Sequence, residues 1–146
     1  IFQMPNQTAP AAQPTNNPPP TLLSLTEVSQ VITSNITEAR QIAITDAQTF
    51  KDIWTEHTAT GVGLPKIDFS QEMVLAVFMG EKLTGGYSIK ITQAELSDKT
   101  LTVHVEETEP SQESITIQII TSPAHIVRIK KVDAEVKFQS TKKSTP

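Results

Sequence analysis

An α+β domain, mainly antiparallel sheet or sandwich-like, with one amphipathic helix at about residues 46–58 and an extended proline-rich N-terminal tail, is the fold class this sequence predicts. Three observations carry the expectation. Residues 73–79, Met-Val-Leu-Ala-Val-Phe-Met, form an unbroken apolar run too short for a buried helix, so they read as a strand covered on both faces. The C-terminal half is a series of short alternating runs. Only one stretch has convincing helical spacing, and many short strands with one helix fit this class.

Taken in order, residues 1–20 hold Pro5, Pro10, Pro14, Pro18, Pro19 and Pro20 among uncharged side chains, which favours extended backbone and excludes a helix or a central strand. Ile1, Phe2 and Met4 are apolar knobs by which this tail could dock. From Thr21 to Ile32, Leu22, Leu23, Leu25, Val28, Val31 and Ile32 fit either a strand pair or an amphipathic helix, and the choice stays open. Residues 39–45 read as a strand. Thr45, Asp46, Ala47 and Gln48 then have capping-box chemistry, with Thr45 expected as the cap and Gln48 reaching back. Phe50, Ile53, Trp54 and His57 follow at i, i+3, i+4 and i+7, which sets the single tryptophan against the sheet. Gly61, Gly63 and Pro65 end that region and lead to the central strand.

Residues 87–96 and 100–107 alternate on either side of Ser97-Asp98-Lys99, a hairpin signature. Residues 114–120 alternate through Ile115, Ile117 and Ile119 and read as a further strand; Ser122-Pro123 breaks it. Residues 126–129 and 132–138 complete the set. The domain boundaries that follow are a tail at 1–20, one β-rich domain at 21–139 and a polar C-terminal tail at 140–146.

With 146 residues the chain can bury one core without a metal or disulfide, and it has no cysteine, so a thiolate site is excluded. A net charge of -4 with scattered lysines argues against a nucleic-acid partner, because phosphate contacts need clustered cations. No apolar run approaches the ~20 residues of a membrane-spanning helix. The first residue is Ile1, not Met, and removal of a targeting segment is the expected cause.

Catalytic constellations are weak. His57, His104 and His125 stand apart without metal-ligand spacing, no G-x-S-x-G elbow occurs, and Glu106, Glu107 and Glu109 read as a solvated strand end. Gly85-Gly86 lacks the remainder of a phosphate-binding loop. Thr84, Gly85, Gly86 and Tyr87 are expected either as a strand connection with a positive φ or as an exposed loop tip offered to a partner. Asn6-Gln7-Thr8 and Asn35-Ile36-Thr37 are sequons, so Asn6 and Asn35 are candidate glycosylation sites. No enzyme activity, metal or cofactor is expected.

Three motifs, Ile-Asp-Phe-Ser-Gln-Glu-Met-Val-Leu-Ala-Val-Phe-Met-Gly at 67–80, Thr-Gly-Gly-Tyr-Ser-Ile at 84–89 and Thr-Ser-Pro-Ala-His-Ile-Val at 121–127, resemble in order the C-terminal domain of PrcB-type protease-complex subunits. The resemblance spans roughly residues 46–138 and leaves out the tail. It implies an exported, non-catalytic domain that partners a surface protease, with no active-site residue to carry over. The Thr84–Tyr87 loop is also similar to loops of immunoglobulin-like inhibitors of cysteine peptidases.

Two functions are expected from this. The first is a structural subunit, extracellular or at the cell surface, that assembles with copies of itself into a filament. In it the tail, through Ile1, Phe2 and Met4, adds as a donor strand to a neighbour's sheet edge. The alternative is an accessory or inhibitor-type module of a surface protease complex that binds through Thr84, Gly85, Gly86 and Tyr87.

Overall fold

A computed structural model describes residues 19–145 of the chain. Its elements are β1 (Thr21–Leu23), β2 (Thr26–Val31), β3 (Ala39–Ile44), α1 (Ala47–His57), β4 (Glu72–Met79), β5 (Ser88–Ser97), β6 (Thr100–Pro110), β7 (Ala124–Lys130) and β8 (Glu135–Thr145). The open choice at residues 21–32 resolves as two strands, β1 and β2, which enter different sheets.

One sheet runs β1-β5-β6-β8 and the other β2-β7-β4-β3. Every pairing is antiparallel except β6 with β8. The parallel pair is possible because the chain crosses to the second sheet for β7 before returning for β8. β4 lies between β3 and β7 and is buried on both faces, as its composition demands. Met73, Leu75, Val77 and Met79 face the opposing sheet and pack with Ile89, Ile91, Leu101, Val103 and Val105. Val74, Ala76 and Phe78 face the other way and form a second core with Ile44, Phe50 and Trp54. Alternation along one strand thus builds three layers: sheet, sheet, helix.

The helix follows its predicted face, with Phe50, Trp54 and His57 buried. Its cap differs from the expectation by one residue. Asp46, not Thr45, takes the extended cap conformation, and its carboxylate accepts the Thr49 backbone N–H at 2.9 Å. Gln48 bonds forward to Asp52 at 2.9 Å instead of reaching back. The charge-assisted bond from Asp46 outcompetes a threonine hydroxyl for the same first-turn donor, and the accepted N–H holds the Asp46 carboxyl below its ordinary pKa.

Two further expectations are corrected. Residues 114–120 do not pair into either sheet. Residues 140–145 are not a loose tail: β8 runs through to Thr145, paired residue for residue with β6 as far as Pro110. Main-chain hydrogen bonding there needs no apolar side chains, so polarity was a misleading guide. β8 is the last strand of its sheet, and among the described residues no strand pairs with its outer side.

Candidate functional site

Residues 80–87 connect β4 to β5, and residues 111–123 connect β6 to β7. These two connections are laced together. Lys82 and Thr121 exchange backbone bonds at 2.7 and 2.9 Å, the Gly85 N–H donates to the Ile117 carbonyl at 2.9 Å, and the Thr121 hydroxyl donates to the Thr84 carbonyl at 2.9 Å. Gly86 takes φ +95°, and a Cβ there would stand 3.0 Å from Pro110 Cβ and 3.3 Å from Thr116 Cγ2. Both the left-handed conformation and the close approach therefore require glycine.

Of the predicted loop residues, Thr84 and Gly85 are partly covered and Gly86 is exposed. Tyr87 is no tip: it packs partly buried against the core, with the Lys82 ammonium 5.3 Å from its ring centroid. The large exposed side chain of this connection is Leu83, at 74%.

Alongside it the 114–120 strip has inverted polarity. Thr116 turns toward Gly86, while Ile115 is fully exposed at 100%, Ile117 at 69% and Ile120 at 60%. With Leu83 these isoleucines gather apolar surface at one end of the sandwich, on backbone that hydrogen bonds hold in place. A folded domain normally turns such alternation inward, whereas here the apolar side faces solvent. Sequence reasoning found the alternation but assigned its apolar side to the core. The absence of any charge from Ser114 to Ile120 was the available signal for the other reading.

The histidines, apart in sequence, each acquire partners. His57 Nδ1 lies 2.7 Å from Ser34 Oγ and its Nε2 3.0 Å from Ser29 Oγ. Ser34 Oγ also accepts the Ile36 N–H at 3.0 Å. The ring sits between Trp54 and Phe78, at centroid distances of 5.4 and 5.7 Å. No carboxylate completes a relay, and burial lowers the His57 pKa, so this trio acts as a neutral clamp joining helix, β2 and the 32–38 connection. His125 accepts the Ile91 N–H at Nδ1, 2.9 Å away, and meets Glu27 at 3.2 Å through Nε2. His104 pairs with Glu95 at 3.1 Å on the outer face of the β5–β6 hairpin. Among the described residues no group of three or more histidine or acidic side chains could hold a metal, and no helix is long and apolar enough to cross a membrane.

Ile1, Phe2, Met4 and Asn6 lie outside the described residues. Asn35 is exposed between β2 and β3, so the second sequon is accessible. Glu106, Glu107 and Glu109 lie on β6, where Lys143 of the neighbouring β8 approaches Glu106 at 3.4 Å.

A family model described as PrcB C-terminal matches residues 73–130, from the first buried residue of β4 through the end of β7. No curated protein matches the chain, and no solved structure does.

Proposed function

Because this chain belongs, over residues 73–130, to the PrcB C-terminal family, we propose that it is a non-enzymatic binding module, an accessory subunit of an exported protease complex. Its contact face is the paired 82–87 and 114–120 connections. One observation carries the proposal: Ile115, Ile117 and Leu83 point outward from backbone that is fixed by hydrogen bonds. A partner that covers them gains the hydrophobic contribution that this chain leaves unused, and a pre-ordered face limits the entropy lost on binding. The protease partner and the extracellular or cell-surface location come from the family resemblance and from a cysteine-free, threonine-rich composition. The test is co-purification with the surface protease of the same cell. Wild type co-elutes with it, whereas Ile117→Asp elutes alone with an unchanged melting temperature. Retention of the complex by Ile117→Asp overturns the assignment of this face.

A second reading, self-assembly into an extracellular filament, is favoured by the outer side of β8, which no strand among the described residues pairs across its eleven residues, since an unpaired edge is a template for another strand. In it the N-terminal tail is the donor. Deleting residues 1–20 abolishes the oligomers in light scattering if the tail donates; unchanged oligomers exclude the tail as donor.

A further inference from the structure

Between the edges of β3 and β8 the two sheets leave a groove of about 510 Å³, bordered by apolar Ala43, Met73 and Val136 and by the charged Lys131 and Asp133. On β8 the inward side chains are Val136 and Phe138, both only partly buried although packed on the core, and then Ser140, whose hydroxyl accepts from Gln41 of β3 at 2.9 Å. This edge therefore combines three things: main chain with no neighbouring strand among the described residues, half-covered apolar side chains and an adjacent gap in the core. A strand bonded to the outer side of β8, with apolar residues at alternate positions, would cover Val136 and Phe138 and fill the groove.

The molecule carries a segment with those properties. Residues 114–120 are uncharged, rich in β-branched side chains and alternating as far as Ile119, with the apolar side turned out and no place in either sheet. We infer that this strip of one molecule adds antiparallel to the β8 edge of a second copy. This rests on the self-assembly reading and replaces its tail with a different donor. Direction follows from charge. Running antiparallel, Ile117 stands over Phe138 and Ile115 over Ser140, and the turn preceding the strip brings exposed Glu113 to exposed Lys142. Running parallel, Glu113 would instead meet the end of β8 that bears Glu135. Neither Glu113 nor Lys142 has an ion-pair partner within its own chain among the described residues. An uncharged donor also brings no charge of its own to the groove. Ile119, whose N–H bonds back to the Ile117 carbonyl at 3.0 Å, extends the pairing over Val136 once that local turn opens. Donor and acceptor are different segments of the chain, so the contact is heterologous, head-to-tail, and propagates.

Sedimentation velocity of the full chain over a range of concentrations tests this. Wild type shows concentration-dependent oligomers. Ile117→Asp removes the donor. Proline at Gln139 or at its neighbour Ser140 removes the acceptor, because one of these two residues aims its N–H outward; the variant that keeps the wild-type melting temperature is the edge variant. Each alone is monomeric, and an equimolar mixture of donor-dead and edge-dead chains gives a capped dimer and nothing larger. Lys142→Glu weakens association, and the exchange Glu113→Lys with Lys142→Glu restores it. If the mixture remains monomeric, the donor–acceptor assignment is wrong. If deletion of residues 1–20 abolishes association while Ile117→Asp does not, the strip is not the donor and self-assembly through the tail stands. A wild type that is monomeric throughout overturns both.

Discussion

The backbone N–H of Ile91, at the bulge of β5, donates to Nδ1 of His125 on β7, so a side chain of one sheet satisfies a main-chain donor of the other. Nδ1 must be unprotonated to accept. The neutral ring therefore carries its proton on Nε2, where it donates to Glu27 at 3.2 Å.

Acid should weaken this link. Burial lowers the His125 pKa below its ordinary value near ~6.5, against the opposing pull of Glu27 and with a small push the same way from Lys90. Burial lowers that of His57 as well. The unfolded chain thus binds these protons more readily than the folded chain. Stability is fully present above about pH 6.5 and falls as the pH drops from there toward the depressed folded values. Melting temperature against pH should be flat above ~6.5 and decline below it, with the protection factor of the Ile91 amide falling over the same interval. A melting temperature that rises on acidification from pH 7 to pH 5 would contradict this assignment.

Gly86→Ala should destabilise the domain by about 1–3 kcal/mol, because the left-handed backbone and the contact with Pro110 both oppose a Cβ. Denaturant titration reads this directly. The same substitution is for that reason a poor probe of binding, and Ile117→Asp, on an outward side chain, is the better one.

Ser34→Ala removes a hydroxyl that meets His57 and accepts from Ile36, leaving two buried polar groups short of a partner. The expected loss is about 1–3 kcal/mol. Ser29→Ala, where the hydroxyl is only partly buried, should cost less.

Leu75→Ala opens a cavity between the sheets at a position that is fully buried, and should cost about 2–5 kcal/mol. Calorimetry on a single transition gives the value, and a loss under about 1 kcal/mol would mean that the two sheets close over the gap.

What could be read in the sequence follows from which side chains must be hidden. Residues 73–79 announce a doubly covered strand because both alternating sets are apolar, and the two cores confirm it. Trp54 and Phe50 announce the helix face in the same way. Alternation is blind to direction, however: Ile115, Ile117 and Ile119 have the same pattern as Val103 and Val105, yet only the valines find an opposing sheet. Whether a neighbour exists is a property of the topology. The polar half of β8 was invisible for the converse reason, since β6 holds it through main chain. The Ser29–His57–Ser34 clamp joins positions 28 and 23 residues apart, and nothing local marks it.

The placement of β7 bears on how the chain comes together. β2 and β4 both take β7 as a neighbour, and β1 waits for β5, so the earliest strands stay unpaired until most of the polypeptide is available. Loop closure over such separations comes before any reward from the contacts it permits, which puts folding in the slow, millisecond-to-second class of β-rich proteins. A chain emerging from a ribosome or a translocation pore N-terminus first could pair β3 with β4 and close the β5–β6 hairpin early, but β2 would have no partner strand until residue 130 was free.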